Sequence, residues 1–275
     1  MALSSVTPAA APAARGPARP PAERYVIPNL RNACRVLKEL GGSPDGLRAA
    51  DLARRLAIPV TTTLRIMTTL HLEGFARKTD GRYGPGPMLI QLGAAALAGT
   101  EIRELAGPLL ERLTAETDET SHLAIPCDRR SLIVAVQNSP HPLRAASRPG
   151  FLADLHCSST GKVFLAYLYE RELAAICAAG RPEKRTPATL TSPAALRREV
   201  GLIRRHGYSL DNEEFNAGVR CLAAPVFGAD GAVAAAIGIT AATVRFTMER
   251  IPEVAAKVRA AAAELSQLLG YSGPR

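Results

Sequence analysis

The sequence predicts an α+β protein in two parts, a winged helix-turn-helix and, beyond a linker helix, an antiparallel sheet domain with flanking helices. Three observations carry this. Residues 25–86 hold three helix-spaced apolar runs and then two short extended segments around an Asp-Gly turn. From residue 100 onward, hairpin signals and helical runs alternate without the spacing of strand-helix-strand units. The net charge of +9 is also unevenly placed: residues 1–90 hold 13 Lys/Arg against 6 Asp/Glu, whereas 91–275 hold 21 against 19. A local basic excess suits a polyanion partner, because phosphate neutralisation depends on local charge. The 275 residues are 47% hydrophobic and 4% aromatic, without Trp, so the core must rest on Leu, Val, Ile and Ala. That composition excludes disordered and fibrous classes.

Residues 1–24, rich in Ala and Pro with Arg15 and Arg19, read as a disordered arm. They lack the charged start and continuous apolar run of a secretory signal. From Asn29, Leu30, Ala33, Cys34, Leu37 and Leu40 mark one face of a first helix ended by Gly41-Gly42. A second spans about 48–56 with Leu52, Ala53 and Leu56 inward. Pro59 breaks the chain, and Thr61 and Thr62 offer hydroxyls to cap a third helix with Leu64, Met67, Leu70 and Leu72 on or near its buried side. Gly74 closes it. Residues 75–78 and 82–83 then flank Thr79-Asp80-Gly81 as a hairpin. In such a module the third helix can enter a major groove with Thr61, Thr62 and Arg65 near its exposed N-terminal half. The hairpin carries Arg77, Lys78 and Arg82 to phosphates.

Residues 87–99, apolar on most sides, predict a linker helix that pairs with a copy of itself. The body, 100–272, opens with an amphipathic helix over 101–116 through Ile102, Leu105, Leu109, Leu110 and Leu113. A hairpin over 120–126 and 132–137 follows, with a further strand expected at 143–146. Helices are expected at 161–168, 170–178 and 193–206, a second hairpin at 221–227 and 232–240, and a last helix over 251–269. The longest uncharged C-terminal stretches are too short and interrupted to span a bilayer. Five cysteines without a CxxC pair point to reduced thiols in the cytoplasm.

The run Leu47-Arg48-Ala49-Ala50-Asp51-Leu52-Ala53-Arg54-Arg55-Leu56-Ala57-Ile58-Pro59, with Thr61-Thr62-Thr63-Leu64-Arg65-Ile66, closely resembles the DNA-binding domain of IclR-type bacterial transcription regulators. Val60 stands where a basic or polar residue is common in that family. His156-Cys157-Ser158-Ser159-Thr160-Gly161-Lys162 and Gly207-Tyr208-Ser209-Leu210-Asp211, with Arg220-Cys221-Leu222-Ala223, resemble two signatures of its C-terminal domain. The resemblance covers roughly residues 25–272. It implies a GAF-like domain that binds a small organic acid effector, binding to a pseudo-palindromic double-stranded DNA operator, and assembly as a homodimer, often to tetramers. It further implies that the Ser159 and Thr160 amides receive a carboxylate at a helix N-terminus, with Asp211, Cys221 and Thr240 opposite. Gly238 stands where a hydroxyl residue can bind small keto acids. The missing side chain is expected to make room for a bulkier, aromatic acid.

Other chemistries fit less well. Ser158 to Lys162 fails as a phosphate loop, since the first Gly would fall at His156 and the final hydroxyl at Val163. A thiol enzyme or redox sensor centred on Cys157 or Cys221 is the alternative function, but neither thiol has an evident base partner. Five scattered histidines, including His122, show no metal-ligand spacing. No catalytic residue, metal or cofactor is therefore expected.

Overall fold

The structure, a computed structural model, describes residues 25–43, 45–98, 101–179 and 182–273. The arm expected at 1–24 lies outside them. Contacts divide the chain into two compact units between Ala96 and Leu97.

In the first unit α1 (Pro28–Gly41), α2 (Ala49–Leu56) and α3 (Val60–Leu72) precede β1 (Ala76–Thr79) and β2 (Arg82–Pro85), and α4 (Pro87–Ala98) carries the chain across the division. Val36, Leu40, Leu52 and Met67 are fully buried at the centre of the bundle. Ala57 ends α2 in the left-handed region at φ 52° and Ile58 is buried, so three residues suffice to turn into α3. Asp80 and Gly81, both at positive φ, close the β1–β2 hairpin, as a two-residue turn requires. Tyr83 exchanges backbone hydrogen bonds of 2.8 Å with Leu47, which ties the hairpin to the α1–α2 connection.

Three details differ from the sequence expectations. The inward face of α1 runs through Ala33, Val36, Leu37 and Leu40, while Leu30 and Cys34 are exposed. Pro59, not Thr61 or Thr62, caps α3, and no side chain accepts from its first amides. The buried side of α3 is Thr63, Ile66, Met67 and Leu70, which turns Leu64 and Leu72 outward.

The second unit contains α5 (Glu101–Thr117), β3 (Thr120–Cys127), β4 (Arg130–Gln137), β5 (Leu152–Asp154), α6 (Ser159–Tyr167), α7 (Leu173–Ala179), α8 (Pro193–His206), β6 (Ser209–Asn212), β7 (Val219–Phe227), β8 (Val233–Ala242) and α9 (Ile251–Leu268). The strands form one antiparallel sheet in the order β5-β4-β3-β8-β7-β6. Alternation along β7 shows the layering. Leu222, Ala224 and Val226 face a core shared with α5 and α9, whereas Ala223 faces one built on α6 and α8. Covered on both faces, β3 and β8 are buried along most of their length and lack a polar alternation.

No strand forms at 143–146. That segment runs irregularly, between Pro140, Pro142 and Pro149, and the strand beside β4 is β5 instead. The short edge strand β6 was not expected.

Candidate functional site

α6 is the pivot of the second unit. Every residue from Ser159 to Ala166 is buried, so the helix is packed on all sides and its N-terminus points into protein. Ser158 caps it by accepting from the Gly161 amide at 3.1 Å. A Cβ on Gly161 would lie 2.3 Å from the Asp154 carbonyl oxygen and 2.5 Å from Ser158 Oγ, so this cap geometry needs glycine. Among the described residues the Ser159 and Thr160 amides have no acceptor. Two unpaired N–H groups at the positive end of a helix form an anion site when they open on a cavity.

Both residues line one. A cavity of about 150 Å³ is lined by Ser159, Thr160, Asp211, Cys221 and Thr240, together with His122, Ile133, Phe151 and Phe215. Its size is about that at which an apolar cavity accepts one benzene ring. Phe151 and Phe215 meet edge to face with centroids 5.9 Å apart. The Arg185 guanidinium lies 4.3 Å from the Phe215 ring.

Asp211 Oδ1 accepts from the Glu214 amide at 2.8 Å and the Phe215 amide at 3.2 Å, which orients the carboxyl and fixes the turn bearing Phe215. Burial pushes Asp211 up to about 6, against the opposing pull of Lys162 and the two amides. Burial also pushes Glu214 up to about 7, again opposed by Lys162. The fully buried Lys162 joins Glu199 at 2.9 Å, Glu214 and the Leu210 carbonyl. Burial alone would lower this lysine, but Glu214 and Glu199 outweigh it and hold the ammonium above its ordinary value. The Lys162 ammonium is thus already committed to protein carboxylates.

His122 is the cavity residue the sequence reading passed over. On β3, in register with Gly238, it is 4% exposed, and its Nδ1 is buried without a partner. Burial lowers its pKa to about 4, so the ring is neutral and offers one donor and one acceptor. Phe151 and Phe215 were also missed, since neither belongs to the motifs that carry the family resemblance.

Gly238 corrects an expectation. It does not line the cavity. A Cβ there would fall 2.2 Å from the Leu222 carbonyl oxygen and 2.9 Å from Ala223 Cβ. The missing side chain is taken up by the close approach of β7 and leaves no extra space for a ligand. Gly238→Ser is therefore expected to destabilise the protein by about 1–3 kcal/mol through overpacking. A lower midpoint in urea denaturation would show it, and an unchanged midpoint would refute it.

Neither candidate thiol is activated. Burial, with Asp154 adding, pushes Cys157 up to about 12. Burial and Asp211 raise Cys221 well above its ordinary value, and its Sγ lies 2.9 Å from Thr240 Oγ1. Thiols held protonated are poor nucleophiles and poor redox sensors. Asp154, His156 and Cys157 place ligand atoms within 4.8 Å of one another, the one such set among the described residues. However, Arg130 and Arg185 already hold the Asp154 carboxylate, and His156 Nε2 bonds the Glu183 carbonyl at 2.9 Å.

In the first unit Thr61 and Arg65 are exposed on α3, with Thr62 half-buried. Arg77, Lys78 and Arg82 are exposed on the hairpin. Lys78 Nζ sits 5.4 Å from the Tyr83 ring centroid, and Arg82 donates to the Gly46 carbonyl at 3.2 Å. No side chain caps the first amides of α3.

Two family descriptions match the chain: "IclR helix-turn-helix domain" over residues 30–80, and "Bacterial transcriptional regulator IclR C-terminal" over 94–267. The transcriptional repressor IclR of Escherichia coli K12 is 31% identical over 253 residues, covering 90% of this chain and 92% of that protein. The crystal structure of an IclR transcriptional regulator from Alicyclobacillus acidocaldarius is similar at a TM-score of 0.78 and 26% identity, covering 90% of this chain and 100% of that one. An IclR homologue from Microbacterium hydrocarbonoxydans, crystallised with 4-hydroxybenzoate, is similar at a TM-score of 0.73 and 26% identity, covering 88% and 98%.

Proposed function

The chain belongs to the IclR family of bacterial transcriptional regulators, and from that premise we propose that it binds an operator as a homodimer and is modulated by a small aromatic acid. One observation carries the ligand class: Ser159 and Thr160, whose amides have no acceptor among the described residues, line a ring-sized cavity walled by Ile133, Phe151 and Phe215. The acid's carboxylate sits on those amides and its ring lies among the apolar walls. Asp211, Cys221, Thr240 and the neutral His122 provide the remaining polar contacts. The 4-hydroxybenzoate in the Microbacterium homologue is an acid of this class.

On the DNA side, Thr61, Thr62 and Arg65 meet the major groove while Arg77, Lys78 and Arg82 meet phosphates. Ile90 and Leu92, exposed on α4, support pairing with a second copy. A homodimer then places two α3 helices on a pseudo-palindromic site, and pairs of dimers make the tetramer. The ligand acts only by binding two DNA-affinity states unequally. The chain works in the cytoplasm, where its DNA and metabolite partners meet and its cysteines remain reduced.

Gel-shift titration against the DNA upstream of its own gene is the test. Arg65→Ala combined with Arg82→Ala is expected to weaken binding at least about tenfold, as loss of a base contact and a phosphate contact should. Undiminished binding would overturn the DNA assignment. Calorimetric titration is expected to favour benzoate over acetate and pyruvate, and the reverse preference would overturn the ligand class.

A further inference from the structure

α3 presents an unusual outward stripe. Val60, Thr61, Leu64, Arg65 and Thr68 are all exposed, and their spacing places them on one helical face. Val60 is 51% and Leu64 44% exposed, although both are large apolar side chains on an otherwise hydroxyl- and guanidinium-bearing surface. Neither serves the core of its own unit, which uses Thr63, Ile66, Met67 and Leu70. The stripe lies in the basic part of the chain, whose charge complements a polyanion rather than an apolar protein partner. In the major groove the C5-methyl of thymine is the one apolar group a base pair displays, and Val or Leu has no hydrogen bond to offer any other base edge.

We propose that α3 recognises thymine methyl groups through Val60 and Leu64, so that each half-site of the cognate DNA carries a T·A pair beneath each of these residues. The proposal rests on the DNA-binding reading above. Arg65, next to Leu64 and likewise exposed, supplies a polar contact beside them. Specificity then depends on groups that can be removed from the DNA one atom cluster at a time.

The test starts from a random duplex library selected on the full-length protein. In the enriched duplex each thymine is replaced singly by deoxyuridine, which deletes the methyl and keeps base pairing. At two positions per half-site, affinity by fluorescence anisotropy is expected to fall about threefold to fourfold, the effect of one buried methyl group. Val60→Ala should abolish the sensitivity at one position and Leu64→Ala at the other. Both residues are exposed, so unchanged thermal melting is expected and checks that the variants fold. Deoxyuridine without effect at every thymine, or full sensitivity retained in both variants, overturns methyl recognition while leaving DNA binding intact. Failure to enrich any duplex overturns the DNA-binding reading and this proposal with it.

Discussion

Raising the pH from 6 to 8 is expected to weaken binding of a benzoate-class ligand by up to about tenfold per pH unit, as linkage to one proton requires. The ligand's carboxylate, ionised throughout this range, enters a cavity of about 150 Å³ that also contains the Asp211 carboxyl. Like charges within about 4–6 Å disfavour each other's ionised form. Asp211 already stands at about 6, chiefly through burial. Below that pH it meets the ligand protonated, at no electrostatic cost. Above it, binding must take up a proton. The other groups around it do not supply the slope. His122, at about 4, is neutral across the range, Cys221 stays a thiol, and Lys162 stays an ammonium. Glu214 titrates near 7 but does not line the cavity. Calorimetry at pH 7 in two buffers of different ionisation enthalpy should therefore count close to one proton taken up per ligand. Asp211→Asn should abolish the uptake and Glu214→Gln should largely keep it. Zero protons with the native chain would refute the arrangement. In the ligand-free protein the sign is consistent: a folded pKa above the unfolded one means that Asp211 favours folding below about pH 4 and that this contribution is lost as pH rises through about 6.

Features governed by local chain geometry were legible in the sequence. Asp80-Gly81 announced its turn, and α8 begins at Pro193, beside the Ser192 cap, and ends before the left-handed Gly207 as the residue types dictate. The face of α3 was less legible, because its apolar residues Leu64, Ile66, Met67, Leu70 and Leu72 are spread around more than one face, and packing in the bundle selects Ile66, Met67 and Leu70 with Thr63. β6 was missed since Ser209-Leu210-Asp211-Asn212 has no apolar alternation and is defined by its partner β7. The cavity divides in the same way. Ser159, Thr160, Asp211, Cys221 and Thr240 were reached through motif resemblance. His122, Phe151 and Phe215 come from a strand, a loop and a turn far apart in sequence, and only the folded sheet brings them together. Gly238 shows the opposite failure. A motif position suggested a vacancy, whereas close strand packing occupies the space.

Lys162→Met should destabilise the protein by about 3–5 kcal/mol, the usual result of removing one partner from a buried ion pair. Lys162 has no exposed surface, and its ammonium reaches Glu199 on α8, Glu214 beyond β6 and the Leu210 carbonyl. Methionine fills a similar volume, so the loss is electrostatic rather than a cavity effect. It leaves Glu214 buried, with its Oε2 already lacking a partner. Glu214 should then take up a proton more readily, so the destabilisation should shrink between pH 7 and pH 5. Adding Glu214→Gln should restore much of the loss at pH 7, and the double-mutant cycle should show a coupling of about 1–3 kcal/mol. Urea midpoints of the four proteins at both pH values test this. A Lys162→Met loss below about 1 kcal/mol, or no coupling to Glu214, would mean that solvent reaches the cluster and screens it. The same lysine ties the body of α6 to the chain around Asp211, the two sides between which the ligand must fit. In the proposed binding mode, ligand affinity measured on the folded variant should therefore fall as well, because the Ser159 and Thr160 amides would receive a carboxylate only while α6 is held in place.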